Sequence, residues 1–419
     1  MQTKLAPEFQ GTREGQAAEA ILRKCVHCGF CTATCPTYQL LGDELDGPRG
    51  RIYLMKQVLE GGPVSRSTQQ HLDRCLTCRN CETTCPSGVQ YGQLVDIGRH
   101  IVEARVQRPK LERATRWLLK EGLTSPLFGP AMKLGQRLRP LLPAALKNKV
   151  PAPGGARAHQ WPKREHARKV LMLMGCVQPA MMPGINSATA RVLDAAGIQT
   201  LVADGAGCCG AIRTHLNDHE GGLADMRRNI DAWWPLVDGL TARGAVEAIV
   251  MNASGCGVTV KDYGRALAHD SAYAEKAAKV SALTRDLSEL LPDITATLKT
   301  RLRKELAPGV PRQLAYHPPC TLQHGQQLRG GVETQLRELG FEVSLAPSES
   351  HLCCGSAGTY SVLQPELAYQ LRNRKLAQLE PLQPQAIISA NIGCIQHLQS
   401  GTTTPVRHWV EVLDDALQS

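Results

Sequence analysis

Two stretches of this chain carry the same cysteine spacing. Cys25, Cys28, Cys31 and Cys35 are followed by Pro36, and Cys75, Cys78, Cys81 and Cys85 by Pro86, so each reads C-x2-C-x2-C-x3-C-P. Steps of three residues let three thiolates wrap three corners of an iron–sulfur cube. The cysteine before proline is carried away by the chain direction that proline imposes, so it is free to serve the other run. Zinc is the alternative for closely spaced thiols, but zinc sites usually pair two C-x2-C halves rather than running four cysteines together. Disulfides fit less well, because the chain opens MQTKLAPEFQ with no apolar export segment and disulfides persist in oxidising compartments.

The spacing resembles that of bacterial ferredoxins. That resemblance implies two 4Fe-4S clusters with exchanged ligands: Cys25, Cys28, Cys31 and Cys85 on one, Cys35, Cys75, Cys78 and Cys81 on the other. The insert between the runs, residues 36–74, holds a helix-compatible stretch from Arg51 to Glu60. Its placement is similar to the α-helical ferredoxins of succinate dehydrogenase-type subunits.

Composition bounds what surrounds these motifs. With 419 residues, 42% hydrophobic and 21% charged, the chain is ordinary for two or three globular domains. Its longest apolar runs fall far short of the roughly 18 residues of a spanning helix. The formal charge is +10, yet residues 101–170 hold 16 Lys and Arg against 4 Asp and Glu, which accounts for the whole basic excess. This connector is either a solvated linker with a helix or two or a surface for anionic lipid or an acidic partner. The second reading rests on Leu118, Leu119, Leu134, Leu138 and Leu141, which interleave with the positive charges as in interfacial helices.

The remainder contains an internal repeat. KVLMLMGC ends at Cys176, GIQTLVADGAGCCG contains Cys208 and Cys209, and VEAIVMNASGC ends at Cys256; later RQLAYHPPC ends at Cys320, GFEVSLAPSESHLCCG contains Cys353 and Cys354, and QAIISANIGC ends at Cys394. Leu223, Ala224, Arg228 and Asn229 recur at the same spacings as Leu367, Ala368, Arg372 and Asn373. Strands alternating with helical stretches such as SATARVLDAAG and ETQLRELG predict parallel α/β sheets, with functional groups beyond the strands' carboxyl ends. Each half therefore offers four thiols to one place. An iron site, a redox thiol site and a packing relic all stand open for them.

The repeats resemble the paired CCG domains of heterodisulfide reductase subunits, in which an added Cys-x-x-Cys helps hold unusual clusters. Here Ala253 and Asn391 stand where the earlier cysteine of that pair would be. The whole layout resembles electron-transfer subunits that serve flavin dehydrogenases of glycolate, lactate and glycerol 3-phosphate. The segments CVHCGFCTATCPTYQLLGDELDGPRGRIYLMKQVLEG, HLDRCLTCRNCETTCPSGVQY, NASGCG, HLCCGSAGTY, ANIGCIQHL and RHWVEVLD resemble the iron–sulfur subunits of bacterial glycolate oxidases.

The resemblance implies an α/β chain: an α-helical ferredoxin-like domain (1–103), the basic connector (104–169) and two CCG domains (170–300 and 301–419). It also implies FAD on a partner subunit, quinone or another membrane acceptor, and a peripheral place on the cytoplasmic side of the inner membrane, or in the cytoplasm. A lactate or glycerol-3-phosphate dehydrogenase subunit, or a thiol or heterodisulfide reductase, is the alternative.

The chain has no G-x-x-x-x-G-K-[ST] and no C-x-x-C-H, so nothing signals a nucleoside triphosphate or covalent haem, and its one G-x-G-x-x-G, Gly205 to Gly210, carries the first repeat's Cys208 and Cys209. No recognition module accompanies the basic charge, which argues against nucleic acid. Substrate oxidation is accordingly expected on the partner, with no catalytic residue on this chain. His317, His324, His351 and His397 lie near the second repeat's cysteines, where a histidine more often satisfies a loop carbonyl than serves a cluster.

Overall fold

The structure, a computed structural model, describes residues 1–143, 147, 150–153, 157–240, 244–302 and 308–418. The N-terminal part is helical: α1 Arg13–Lys24, α2 Phe30–Ala33, α3 Pro36–Leu41, α4 Pro48–Leu59, α5 Arg66–Asp73, α6 Asn80–Thr84 and α7 Tyr91–Arg105. Thr12 caps α1 by accepting from Gly15 N–H at 3.1 Å, and Ser65 caps α5 by accepting from Thr68 N–H at 3.1 Å; each satisfies an amide the helix leaves open. The helix expected from residue 51 starts at Pro48, where a missing N–H costs nothing. Ala18, Ile21 and Leu22 of α1, Ile52 and Met55 of α4, and Leu94 and Val95 of α7 form one buried core.

Two further helices, α8 Lys110–Thr124 and α9 Phe128–Arg137, follow in the basic segment. They are bound to what flanks them. The Arg108 side chain, 2% exposed, pairs with Asp73 at 2.5 Å and Glu103 at 2.6 Å, and Arg116 reaches Asp73 at 3.0 Å. Arg213 pairs with Glu121 at 2.9 Å. Part of the basic excess is therefore consumed internally, which the sequence expectation of a solvated or lipid-facing charge run did not include.

The repeats form two four-stranded parallel sheets of identical order, β2-β1-β3-β4 and β6-β5-β7-β8. The strands are β1 Arg168–Met172, β2 Ile198–Leu201, β3 Ala248–Met251, β4 Thr284–Asp286, β5 Gln313–Tyr316, β6 Glu342–Leu345, β7 Ala386–Ser389 and β8 Val406–His408. Register matches between the sheets: Arg168 lies opposite Ile198 and Leu171 opposite Leu201, as Gln313 lies opposite Glu342 and Tyr316 opposite Leu345. Parallel neighbours need crossovers, and helices Pro183–Ala195, His219–Val237, Gly331–Glu338 and Pro365–Leu379 lie on those connections. A single buried cluster runs through both sheets, from Val170, Ile198 and Val250 to Ala315, Ile387 and Trp409.

Candidate functional site

Each N-terminal cysteine run is curled by left-handed residues at matching places. His27 and Gly29 have φ of 57° and 88°, and Thr77 and Arg79 have φ of 52° and 60°, two and four residues after the first cysteine of each run. Left-handed backbone is costly for side-chain-bearing residues, so three non-glycine examples mark loops held by what they enclose. Cys35 and Cys85 are extended, with φ/ψ of −82°/115° and −77°/115°, as a residue before proline must be.

Three of these thiols, Cys31, Cys78 and Cys81, are pushed up by burial and by other cysteines. Burial, with neighbouring Cys25 and further contributions from Cys85 and Cys28, pushes the Cys31 thiol up to about 11. Burial and Cys320 raise Cys78, which also feels Cys35 and Cys75; burial and then Cys78, Cys75 and Cys35 raise Cys81. Four mutually repelling thiolates need a cation among them, and metal binding releases their protons. The donor set thus fits iron–sulfur clusters. Cys28 is exposed while Cys35, Cys75 and Cys81 are buried, so the first set opens to the surface and the second lies inside.

A buried polar network supports the inner set. Asp46, 0% exposed, accepts from Arg74 Nη1 at 2.8 Å and Arg51 Nη2 at 3.4 Å, with His71 Nδ1 at 3.1 Å. Arg51 also donates to His71 O at 2.7 Å and Thr37 Oγ1 at 3.1 Å. Burial opposes the arginine's charge, and Tyr91, Cys75, Cys35 and Asp46 hold it above the ordinary value. The guanidinium is a fixed counter-charge beside two inner thiols.

Both Cys-Cys-Gly elements follow β2 or β6 with one geometry. Gly210 N–H lies 3.4 Å from Cys208 Sγ, and Gly355 N–H 3.4 Å from Cys353 Sγ. Gly210 and Gly355 have φ of 93° and 89°, and an added Cβ would meet Gly222 O at 2.8 Å or Ala368 O at 2.4 Å. The glycine is required where the turn presses on the following helix. In the first repeat Cys208 is held low by hydrogen bonds from Cys176 and Cys209, while Cys176 and Cys209 are pushed up. In the second, Cys320 Sγ lies 3.7 Å from Cys353 Sγ, and against a lowering hydrogen bond with Cys353, the Cys394 thiol and burial raise Cys354. The structure thus brings Cys176, Cys208, Cys209 and Cys256 together, and likewise Cys320, Cys353, Cys354 and Cys394.

The inner ferredoxin-type set lies against the second repeat. Leu76 packs with Cys320, Cys353 and Tyr360, with Cys78 at the edge of that cluster. Tyr360 OH donates to Arg74 O at 3.1 Å, and Thr83 Oγ1 meets His324 Nδ1 at 3.0 Å. A cavity of about 1410 Å³ is lined by Cys75 and Cys78 and by cysteines of both repeats, including Cys176, Cys208, Cys256, Cys320, Cys353 and Cys394. Leu119, Leu123, Phe128 and Met132 of α8 and α9 line it too. Leu119 therefore turns inward, unlike Leu118, Leu134, Leu138 and Leu141, which are exposed.

Of the four histidines set aside above, His324 and His397 satisfy carbonyls, through His351 O at 2.8 Å and Ala368 O at 3.0 Å. His351 is half-buried and kept low by burial. Among the described residues, His317 has no hydrogen-bond partner on either ring nitrogen. Sequence reading missed His100, His215 and His219, which line the cavity with Asp96; burial lowers His215 and His219. Nothing in their local spacing distinguishes them from surface histidines.

Comparison with known proteins agrees with this layout. Residues 21–89 match the 4Fe-4S dicluster domain, and residues 170–261 and 314–399 match the Cysteine-rich domain. The chain is 54% identical over 419 residues, all of both chains, to the Glycolate oxidase iron-sulfur subunit of Escherichia coli (strain K12). It is 27% identical to the Probable glycolate oxidase iron-sulfur subunit of Bacillus subtilis (strain 168), over 94% of this chain and 92% of that one. It is 24% identical to Lactate utilization protein A of Bacillus licheniformis, over 59% of this chain and 99% of that one. Full-length identity and both matched domains place this chain in the family of glycolate oxidase iron-sulfur subunits, iron–sulfur proteins of electron transfer.

Proposed function

We propose that this chain relays electrons from a partner subunit, where FAD oxidises glycolate to glyoxylate, toward a membrane acceptor such as quinone. The observation that carries it is the sequence of thiol groups from the exposed Cys28, through the buried inner set, to the repeat thiols around one cavity. Cys25, Cys28, Cys31 and Cys85 hold one 4Fe-4S cluster in this reading, and Cys35, Cys75, Cys78 and Cys81 the other. The repeat cysteines form further redox or iron sites. A flavin removes two electrons from the hydroxy acid, and clusters pass them on singly. The chain's own residues insulate and position the clusters and perform no bond-breaking step.

The substrate is tested genetically. Cells lacking the gene are expected to lose growth on glycolate and glycolate-dependent dye reduction, and a copy carrying Cys78→Ser should restore neither. Glycolate oxidation persisting while lactate oxidation disappears would keep the relay and overturn the substrate.

The membrane contact in this reading is made by the outer face of α8 and α9. Among the described residues no helix is long and apolar enough to cross a membrane. Leu111, Leu127 and Leu141 are nevertheless 81%, 73% and 82% exposed, with Trp117, Leu118, Leu134 and Leu138 also outward. Lys110, Arg113, Lys133 and Arg137 are exposed around them. Apolar contact plus about 1 kcal/mol for each basic residue near anionic lipid predicts co-sedimentation with anionic vesicles, reversed by high salt and lost in Trp117→Glu/Leu118→Glu. Equal sedimentation of that variant would reduce the segment to a connector.

A further inference from the structure

We propose that His317 is a ligand, together with Cys354 and Cys394, of an iron site in the second repeat. This deepens the reading above that the repeat thiols hold iron, and rests on it. The ligating atoms of these three residues lie within 4.8 Å of one another, all buried, close enough for one iron or neighbouring irons of one cluster to touch all three. His317 is 1% exposed, yet among the described residues neither ring nitrogen has a hydrogen-bond partner. A buried polar group left unpaired is costly, and a metal bond would satisfy it. Its backbone is pinned to β7, the N–H donating to Ile388 O at 2.9 Å and the carbonyl accepting from Ser389 Oγ at 2.8 Å. The ring is thereby held at the mouth of the Cys-Cys-Gly turn. No loop carbonyl competes for it, in contrast to His324 and His397.

The first repeat has no counterpart. Three residues before Cys320 stands His317; three residues before Cys176 stands Leu173, 3% exposed and part of an apolar core. The repeats are therefore chemically unequal, one offering thiols only and the other thiols with an imidazole. The second also has a buried lysine: Lys375, 2% exposed, donates to Glu349 O, and burial pulls it down to about 8 while Cys354 and Cys353 act in the opposite direction.

The inequality gives the relay a direction. Neutral imidazole in place of anionic thiolate raises the potential of an iron–sulfur centre, and a nearby ammonium acts the same way. The inner ferredoxin-type set meets the second repeat, since Leu76 and Cys78 pack in one cluster with Cys320 and Cys353. An iron held by His317, Cys354 and Cys394 would accept one electron given up by a cluster held by Cys35, Cys75, Cys78 and Cys81, with no bond made or broken. The partner flavin supplies the electron.

The test uses the full chain purified anaerobically, with iron per chain counted and the reduced protein examined by electron spin-echo spectroscopy. Wild type should show iron beyond the dicluster domain's and an imidazole nitrogen coupling. His317→Leu should lose as much iron as Cys353→Ser/Cys354→Ser. His317→Cys should keep the iron, lose the nitrogen coupling and titrate at a lower potential. If the double serine variant loses iron while His317→Leu and His317→Cys retain the wild-type iron count, coupling and potential, the histidine is no ligand although the repeat binds iron. If no variant changes the iron count, the iron reading of the repeat fails and the proposal with it.

Discussion

Asp46→Ala is expected to lower the thermal midpoint of the N-terminal helical part by about 10 °C or more. The carboxylate is the shared acceptor for Arg51, Arg74 and His71, and the Arg51 side chain is 1% exposed. Removing one partner of a buried ion pair strands the other, at a cost of about 3–5 kcal/mol. A kilocalorie moves the midpoint of a domain of this size by several degrees. Arg51 would remain charged beside Cys35 and Cys75, now without its carboxylate, so the inner cluster's potential should rise as well. Anaerobic melting followed by visible absorbance and by circular dichroism measures the first effect, and a redox titration the second. A midpoint within a degree or two of wild type would show that the remaining partners of Arg51, His71 O and Thr37 Oγ1, are sufficient without Asp46.

The position of that network explains why the insert between the cysteine runs is long. Its helix, α4, brings Arg51 under the inner thiols, and α5 brings His71.

Much of this was readable because it is written locally. The spacing of Cys25 to Cys35 and of Cys75 to Cys85 carries its chemistry in the sequence, and residues 21–89 match the 4Fe-4S dicluster domain. The duplicated strand–cysteine pattern reappears as two sheets of one order. The fourth strand of each sheet was not expected. Thr284–Asp286 and Val406–His408 are three residues long with a charged centre, Arg285 or Arg407, too short for any alternation to register.

What remained hidden depends on contacts distant in sequence. Cys78 meets Cys320 and Cys353 where Tyr360, Thr83 and Asn80 join the helical part to the second repeat. Leu119 and Leu118 are adjacent in a leucine-rich stretch, and only packing shows that one lines the cavity while the other is exposed. Likewise His317 differs from His324 and His397 not in its neighbours along the chain but in having no carbonyl to bond among the described residues.

The second large effect concerns a single sulfur. In Cys35→Ser the lost thiolate belongs, by the crossed reading, to the centre of Cys75, Cys78 and Cys81, although its sequence neighbours are Cys25, Cys28 and Cys31. Cys35 and Asp46 O are 3.8 Å apart and Thr37 Oγ1 is 3.3 Å from the same sulfur, so the thiol faces the inner network. A serine oxygen is a poorer ligand than thiolate for an iron–sulfur cluster. Loss of that cluster would interrupt the route between the surface-exposed set and the repeats, and acceptor reduction should fall to background.

Rapid-freeze EPR of the assembled complex mixed with glycolate measures both the route and its ligands. In wild type, glycolate should reduce the flavin and then two 4Fe-4S centres of this chain faster than the complex turns over. In Cys35→Ser the signal of the Cys75–Cys78–Cys81 centre should vanish while the Cys25 centre is still reduced. Clusters that stay oxidised in wild type while acceptor is reduced at the normal rate would contradict the relay, and loss confined to the Cys25 centre would contradict the crossed ligands.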